Sequence, residues 1–297
     1  MAAAVDPAVA GPEQHPGNRA RLIARFGPMA GPWYDALPTL VDGLARRWGL
    51  DVGEAGGGGT SRVYRCLRKG EHEGATATVW LKLTPDPVVA TQEAEALSAW
   101  SDTPSVVQLL DSDPGAGALL LAGVEPGTRV RESGRRTADI ARLLMDLRTA
   151  PRPRTPRLPP LSERITFMYD MAARRGAHSP EVLARGRAAA LGLARTGPAD
   201  GLVHGDLHPG NVLVGPGHRL VAIDPRPTFG DPDFDAADWV IDGVTDESGL
   251  RRRIAELTAL VPGMSADRVL DWCRATAPLT TGAPAFLLPG GGAARMR

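Results

Sequence analysis

His204-Gly-Asp-Leu-His-Pro-Gly-Asn-Val-Leu-Val214, with Ile223-Asp224-Pro225 ten residues further on, is the stretch on which the fold turns. Gly205, Pro209 and Gly210 make its first half a loop, and the apolar runs Val212–Val214 and Val221–Ile223 read as two short strands around a turn. Three oxygen-bearing side chains fall at fixed points on this frame. Asp206 lies in the loop, Asn211 follows five residues later, and Asp224 ends the second strand. A hairpin brings Asn211 and Asp224 to one end. This set suits phosphoryl transfer. One carboxylate accepts the proton of an attacking hydroxyl, while an amide oxygen and a second carboxylate hold Mg²⁺ against phosphates. His204 and His208 are four apart, as in helical zinc sites, but loop glycines and a proline leave the two rings no reason to converge. His204 is therefore expected to brace the loop by hydrogen bonds.

The spacing from Asp206 to Asn211 equals that of the protein-kinase pattern H-R-D-x-x-x-x-N, and Asp224 stands where the Asp of D-F-G would sit. Working outward, the N-terminal third supplies matching parts. The segment around Gly56–Ser61 lies between two strand-like runs, and the backbone N–H groups of Gly57, Gly58, Gly59, Thr60 and Ser61 are expected to cover phosphates. Lys82 lies inside Val79-Trp-Leu-Lys-Leu83, where a charge is costly unless it meets an anion. It is expected to contact the α- and β-phosphates of ATP. Glu93 or Glu95 on the next helix would pair with it, and the position of Glu95 before Ala96-Leu97 favours Glu95. The strand Leu119–Val124 should lead into a hinge, with Leu121 and Gly123 against the adenine.

The 297 residues suffice for two small domains, with 43% hydrophobic and 23% charged residues. Basic and acidic residues balance at 34 each, which disfavours a nucleic-acid partner. No apolar run is long enough to span a membrane, and the first residues lack the pattern of a secretory signal. Cys66 and Cys273 cannot build a disulfide framework, so a cytoplasmic location and a monomer are the expectation. There are 32 arginines and only two lysines, Lys69 and Lys82; a lysine kept against that bias suggests a requirement for lysine.

The expected class is α+β: a small antiparallel sheet with one helix, then a mainly helical region. Residues 1–18 read as a loose N-terminus, 19–122 as a nucleotide-binding lobe, 123–277 as a catalytic and substrate-binding lobe, and 278–297 as a low-complexity tail. The proline-rich run Ala150–Pro160 reads as a stiff connector.

The motifs HGDLHPGNVL and AIDPRPTFGDPDFDAADWV resemble those of the aminoglycoside and hydroxyurea phosphotransferase family, and the resemblance runs over about residues 20–275. It implies a two-lobed protein-kinase-like fold, ATP with Mg²⁺, and O-phosphorylation of a small antibiotic. On that resemblance Asp206 is the catalytic base, Asn211 and Asp224 the metal ligands, and Lys82 the phosphate-binding lysine. The short path from Asn211 to Asp224 and on into Pro225-Arg-Pro leaves no activation loop, which argues against a protein substrate.

Seven acids lie between Asp231 and Glu247, with no Lys or Arg between Arg226 and Arg251. Asp231, Asp235 and Asp238 are the expected contacts to a cationic, guanidinium-bearing antibiotic of the streptomycin type. Hydroxyurea or viomycin is the alternative acceptor, and a nucleotide-binding regulatory module the alternative class. Helix capping and loop bracing are the competing roles for these acids.

Overall fold

The computed structural model describes residues 16–56, 61–69, 76–130, 136–151, 158–199, 201–280 and 282–289. Over them the chain is α+β and divides into two compact units. The first holds residues up to Ala94 together with Gln108–Gly123, and the second holds Glu95–Val107 and everything from Val124 onward. The single boundary expected at 122 therefore misses an excursion, because 95–107 goes with the second unit. The cause is local. Trp100 is buried and donates its indole N–H to Leu147 O at 3.1 Å. Val107 N–H bonds Ala222 O, and Ala222 N–H bonds Ser105 O.

In the first unit, α1 (Pro16–Phe26) and α2 (Ala30–Trp48) precede the sheet. Helix α2 runs through Pro38, which costs one backbone hydrogen bond. Packing decides this, since Tyr34, Leu37, Val41, Leu44 and Trp48 repeat at three and four residues and are all buried. Gly49, at φ +65°, closes the helix in a left-handed cap.

Strands β1 (Leu50–Gly56), β2 (Arg62–Lys69), β3 (Thr76–Leu83), β4 (Leu109–Asp113) and β5 (Ala118–Ala122) form one antiparallel sheet in the order β1-β2-β3-β5-β4. Alternation assigns the faces. Tyr64, Cys66, Val79, Leu81, Leu83, Ala118 and Leu120 join the core under α1 and α2. Lys82, paired in register with Val63 and Leu119, lies on the opposite face. Just before β4, Val106 forms a bridge with Ala222.

Helix α3 (Pro87–Ala99) runs from the first unit into the second. The second unit is mainly helical, with α4 (Thr137–Arg148), α5 (Leu161–Arg174), α6 (Pro180–Thr196), α7 (Ala237–Ile241), α8 (Glu247–Leu260) and α9 (Ala266–Thr276). Two small sheets carry its loops. Strands β6 (Thr128–Arg129), β8 (Val212–Val214) and β9 (Leu220–Ala222) form one, and β7 (Gly201–Val203) pairs with β10 (Thr228–Gly230) in the other. The middle of the expected connector and the last eight residues lie outside the described residues. Within the expected tail, Ala285–Leu287 forms a 3₁₀ turn that buries Leu287.

Leu81 is fully buried between the sheet and α2. Leu81→Ala should destabilise the first unit by about 3 kcal/mol, seen as an earlier unfolding transition in urea followed by Trp fluorescence.

Candidate active site

The loop that carries Asp206 leaves one small sheet at Val203, the end of β7, and enters the other at Val212, the start of β8. Its first turn hangs on a buried carboxylate. Asp235 accepts the backbone N–H of His204 at 2.7 Å and that of Gly205 at 3.0 Å. From the other side, Arg226 N–H bonds His204 O at 2.8 Å. Gly205, at φ +75°, approaches the chain so closely that a Cβ there would lie 2.1 Å from Arg226 O. This position needs glycine.

His204 braces the loop as expected of it. The ring is fully buried, with Nε2 3.2 Å from Ile223 O. A carbonyl only accepts, so Nε2 carries the proton, and Nδ1 accepts the Asp206 N–H at 3.4 Å. Burial pushes the imidazole pKa down to about 4.

Asp206 is held by two planar donors. Asn211 Nδ2 donates to Asp206 O at 2.9 Å and to its Oδ2 at 3.1 Å. From α5, Arg164 donates through Nε to Gly205 O at 2.9 Å and through Nη2 to Asp206 Oδ1 at 2.8 Å. Sequence reasoning missed Arg164. Its only signal was a charge directly before Ile165 on the buried stripe of a helix. Because both Asn211 bonds use its amide nitrogen, the amide oxygen faces away from Asp206. The β8–β9 hairpin brings Asp224 to the same end, through the Ile223 N–H bond to Asn211 O at 2.9 Å. Asp224 adopts a left-handed backbone at φ +56° and pairs with Arg226 at 3.3 Å. An amide oxygen and a carboxylate are the hard donors that Mg²⁺ takes when phosphates complete its shell, so the residues fit that ion.

In the first unit, Lys82 Nζ donates to both carboxylate oxygens of Glu93, at 2.5 and 2.7 Å. The carboxylate expected here was that of Glu95, which is a correction. Glu93 shares the buried face of α3 with Ala90 and Leu97, whereas Glu95 lies about 200° further round the helix and is half-buried. The expected adenine contacts also change. The Leu121 backbone is paired with β3 on one side and β4 on the other. Gly123 N–H donates to Thr78 O at 2.9 Å, and a Cβ on Gly123 would lie 2.5 Å from that oxygen. The Gly123 amide thus serves the sheet. Ser61 is buried at the start of β2, and Gly57, Gly58, Gly59 and Thr60 lie outside the described residues.

The acids between Asp231 and Glu247 separate by partner. Asp231 is buried, pairs with Arg268, and accepts the Trp272 indole N–H at 2.6 Å. Asp233 pairs with Arg148 at 2.6 Å and Asp246 caps α8. Asp231 and Asp235, expected to meet substrate, are thus tied to the protein: their oxygens are already used by an arginine, an indole and backbone amides. Burial raises the Asp235 pKa to about 7, against the pull of its two amide bonds. Asp238 remains. It borders a cavity of about 310 Å³ in the second unit, together with Asp206, His208, Phe234, Ile241 and Asp242. Burial raises the Asp238 pKa too. No lysine or arginine lines this cavity among the described residues.

A carboxylate fixed at the mouth of an acidic cavity, beside an amide and carboxylate fit for Mg²⁺, marks a phosphotransferase. Solved structures share the fold. A choline kinase from Streptococcus pneumoniae superposes with a TM-score of 0.60 at 16% identity, covering 82% of this chain and 88% of that one. An aminoglycoside phosphotransferase from Streptomyces rimosus superposes at 0.55 and 24% identity, covering 83% and 98%.

Residues 47–283 match the family of aminoglycoside/hydroxyurea antibiotic resistance kinases, and the chain belongs to it. A hydroxyurea phosphotransferase from Kitasatospora aureofaciens is 34% identical over 267 residues, covering 86% of this chain and 76% of its own. A streptomycin 6-kinase from Streptomyces glaucescens is 31% identical over 267 residues, covering 83% and 82%.

A sealed His204 ring should stay neutral well below the usual imidazole range, because burial disfavours the charged form. A histidine ¹⁵N NMR titration from pH 8 to pH 5 should leave that ring as its Nε2–H tautomer. Protonation near pH 6.5 would contradict the geometry.

Proposed function

We propose that this protein transfers the γ-phosphoryl group of ATP, with Mg²⁺, to a hydroxyl of a streptomycin-type aminoglycoside, acting as a cytoplasmic monomer that confers resistance. The observation that carries this reading is the cavity beside Asp206. Its wall holds Asp238 and Asp242 and, among the described residues, no cationic side chain. A guanidinium group entering it would meet carboxylates in a shielded place, where charge-assisted hydrogen bonds are strong. Hydroxyurea is the second reading, favoured by the 34% identity to a hydroxyurea phosphotransferase. It is neutral and small, and would use neither carboxylate as a counter-charge.

The residues divide the work. Lys82, held straight by Glu93, meets the α- and β-phosphates. Asn211 and Asp224 supply oxygen ligands to Mg²⁺, which when bound neutralises charge on the phosphates. Asp206 orients the acceptor hydroxyl and receives its proton late in the transfer. His208 lines the acceptor cavity and accepts the Gly210 N–H on Nδ1 at 3.0 Å, which leaves Nε2 as the ring atom for a hydrogen bond to the acceptor.

A coupled assay of ADP release with Mg²⁺ over streptomycin, viomycin, hydroxyurea and a 2-deoxystreptamine aminoglycoside tests the acceptor. Turnover with streptomycin is expected, and turnover with hydroxyurea alone would transfer the assignment to the second reading. Asp206→Ala should lower kcat about 10²–10⁴-fold with ATP binding retained. Asp238→Asn should raise KM for streptomycin about tenfold at little cost in Tm, whereas Asp231→Asn should lower Tm and leave KM unchanged.

A further inference from the structure

Asp206 is gripped from two sides in the same manner. Each donor is a planar group that bridges one backbone carbonyl and one carboxylate oxygen. Asn211 takes Asp206 O and Oδ2, and Arg164 takes Gly205 O and Asp206 Oδ1. A fork that holds both main chain and carboxylate fixes the side-chain rotamer relative to the backbone, which one hydrogen bond would not do. Arg164 is itself held. Its helix is anchored by the buried residues Leu161, Ile165, Tyr169 and Ala172, its side chain is 12% exposed, and the ring of Phe167 lies 5.9 Å from its guanidinium carbon. Arg164 is not among the residues that line the cavity beside Asp206, and its hydrogen bonds there go to Gly205 O and Asp206 Oδ1.

We propose that Arg164 is a positioning residue for the transfer step, holding Asp206 in one rotamer so that the acceptor hydroxyl is aligned before its proton departs. This rests on the reading of Asp206 as the group that meets that hydroxyl. Each oxygen still has a lone pair for the hydroxyl, since Asn211 and Arg164 take one apiece.

A double-mutant cycle on the full chain, read as kcat for ADP release with streptomycin and, in parallel, with hydroxyurea, separates the two readings. Arg164→Ala should lower kcat about 100-fold, with KM for ATP within twofold of the parent. Arg164→Lys keeps the charge without the fork and should recover part of that loss. In an Asp206→Asn background Arg164→Ala should change kcat less than about threefold, because the group through which it acts is gone. An equal loss in both backgrounds would overturn the proposal while leaving Asp206 in place. Normal turnover in Asp206→Asn alone would instead overturn the reading of Asp206. If Arg164→Ala lowers Tm and nucleotide affinity together and Arg164→Lys does not recover kcat, the role is structural and the proposal fails.

Discussion

Two backbone amides on one buried carboxylate set the geometry of the second unit. Asp235 accepts from His204 and Gly205, and so fixes where the catalytic loop leaves its strand. Everything after that point inherits the placement. The His204 ring turns inward to reach Ile223 O, the left-handed Gly205 reverses the chain, and Asp206 emerges against Arg164 and Asn211. Buried amide groups demand partners, and a carboxylate serves two of them at once. The same demand explains why an acid that looks suited to a cation in the sequence is unavailable to one.

Local pattern carried the fold a long way. The spacing of Asp206, Asn211 and Asp224, with apolar runs between them, is a short-range property, and the hairpin that converts it into a site is built from adjacent strands. Lys82 was legible for a similar reason, as a charge inside an apolar strand. Its partner was not. Glu93 and Glu95 differ by two residues, and the choice depends on which side of α3 is covered, a tertiary fact. Arg164 was invisible because its partners are about forty residues away along the chain. Spacing says nothing about such pairs.

The acidic run shows the limit from another direction. Composition counted seven negative charges in a segment without a positive one and read them as a field. Arginines brought in from elsewhere, Arg148 and Arg268, neutralise Asp233 and Asp231, and helix ends take Asp246. What reaches the cavity is Asp238 and Asp242 beside Asp206 and the amide-bound Asp235, a smaller and more directional set than the sequence suggested. The charge of the cavity thus comes from a few carboxylates in a shielded place and owes little to net charge, which is zero over the chain.

The strand order of the first unit bears on how the chain can be made and cut. Strand β5 is inserted between β3 and β4, although it is the last of the five to leave the ribosome. Until residues 118–122 emerge, β3 has an open edge and β4 has nothing to pair with, so the sheet closes late around its own centre. A fragment ending at Ala94 would keep the lysine and its glutamate but leave β3 as a bare edge, primed to pair with another copy of itself. The lysine-bearing strand is thus shielded from self-association only by a segment that follows an excursion of the chain into the other unit.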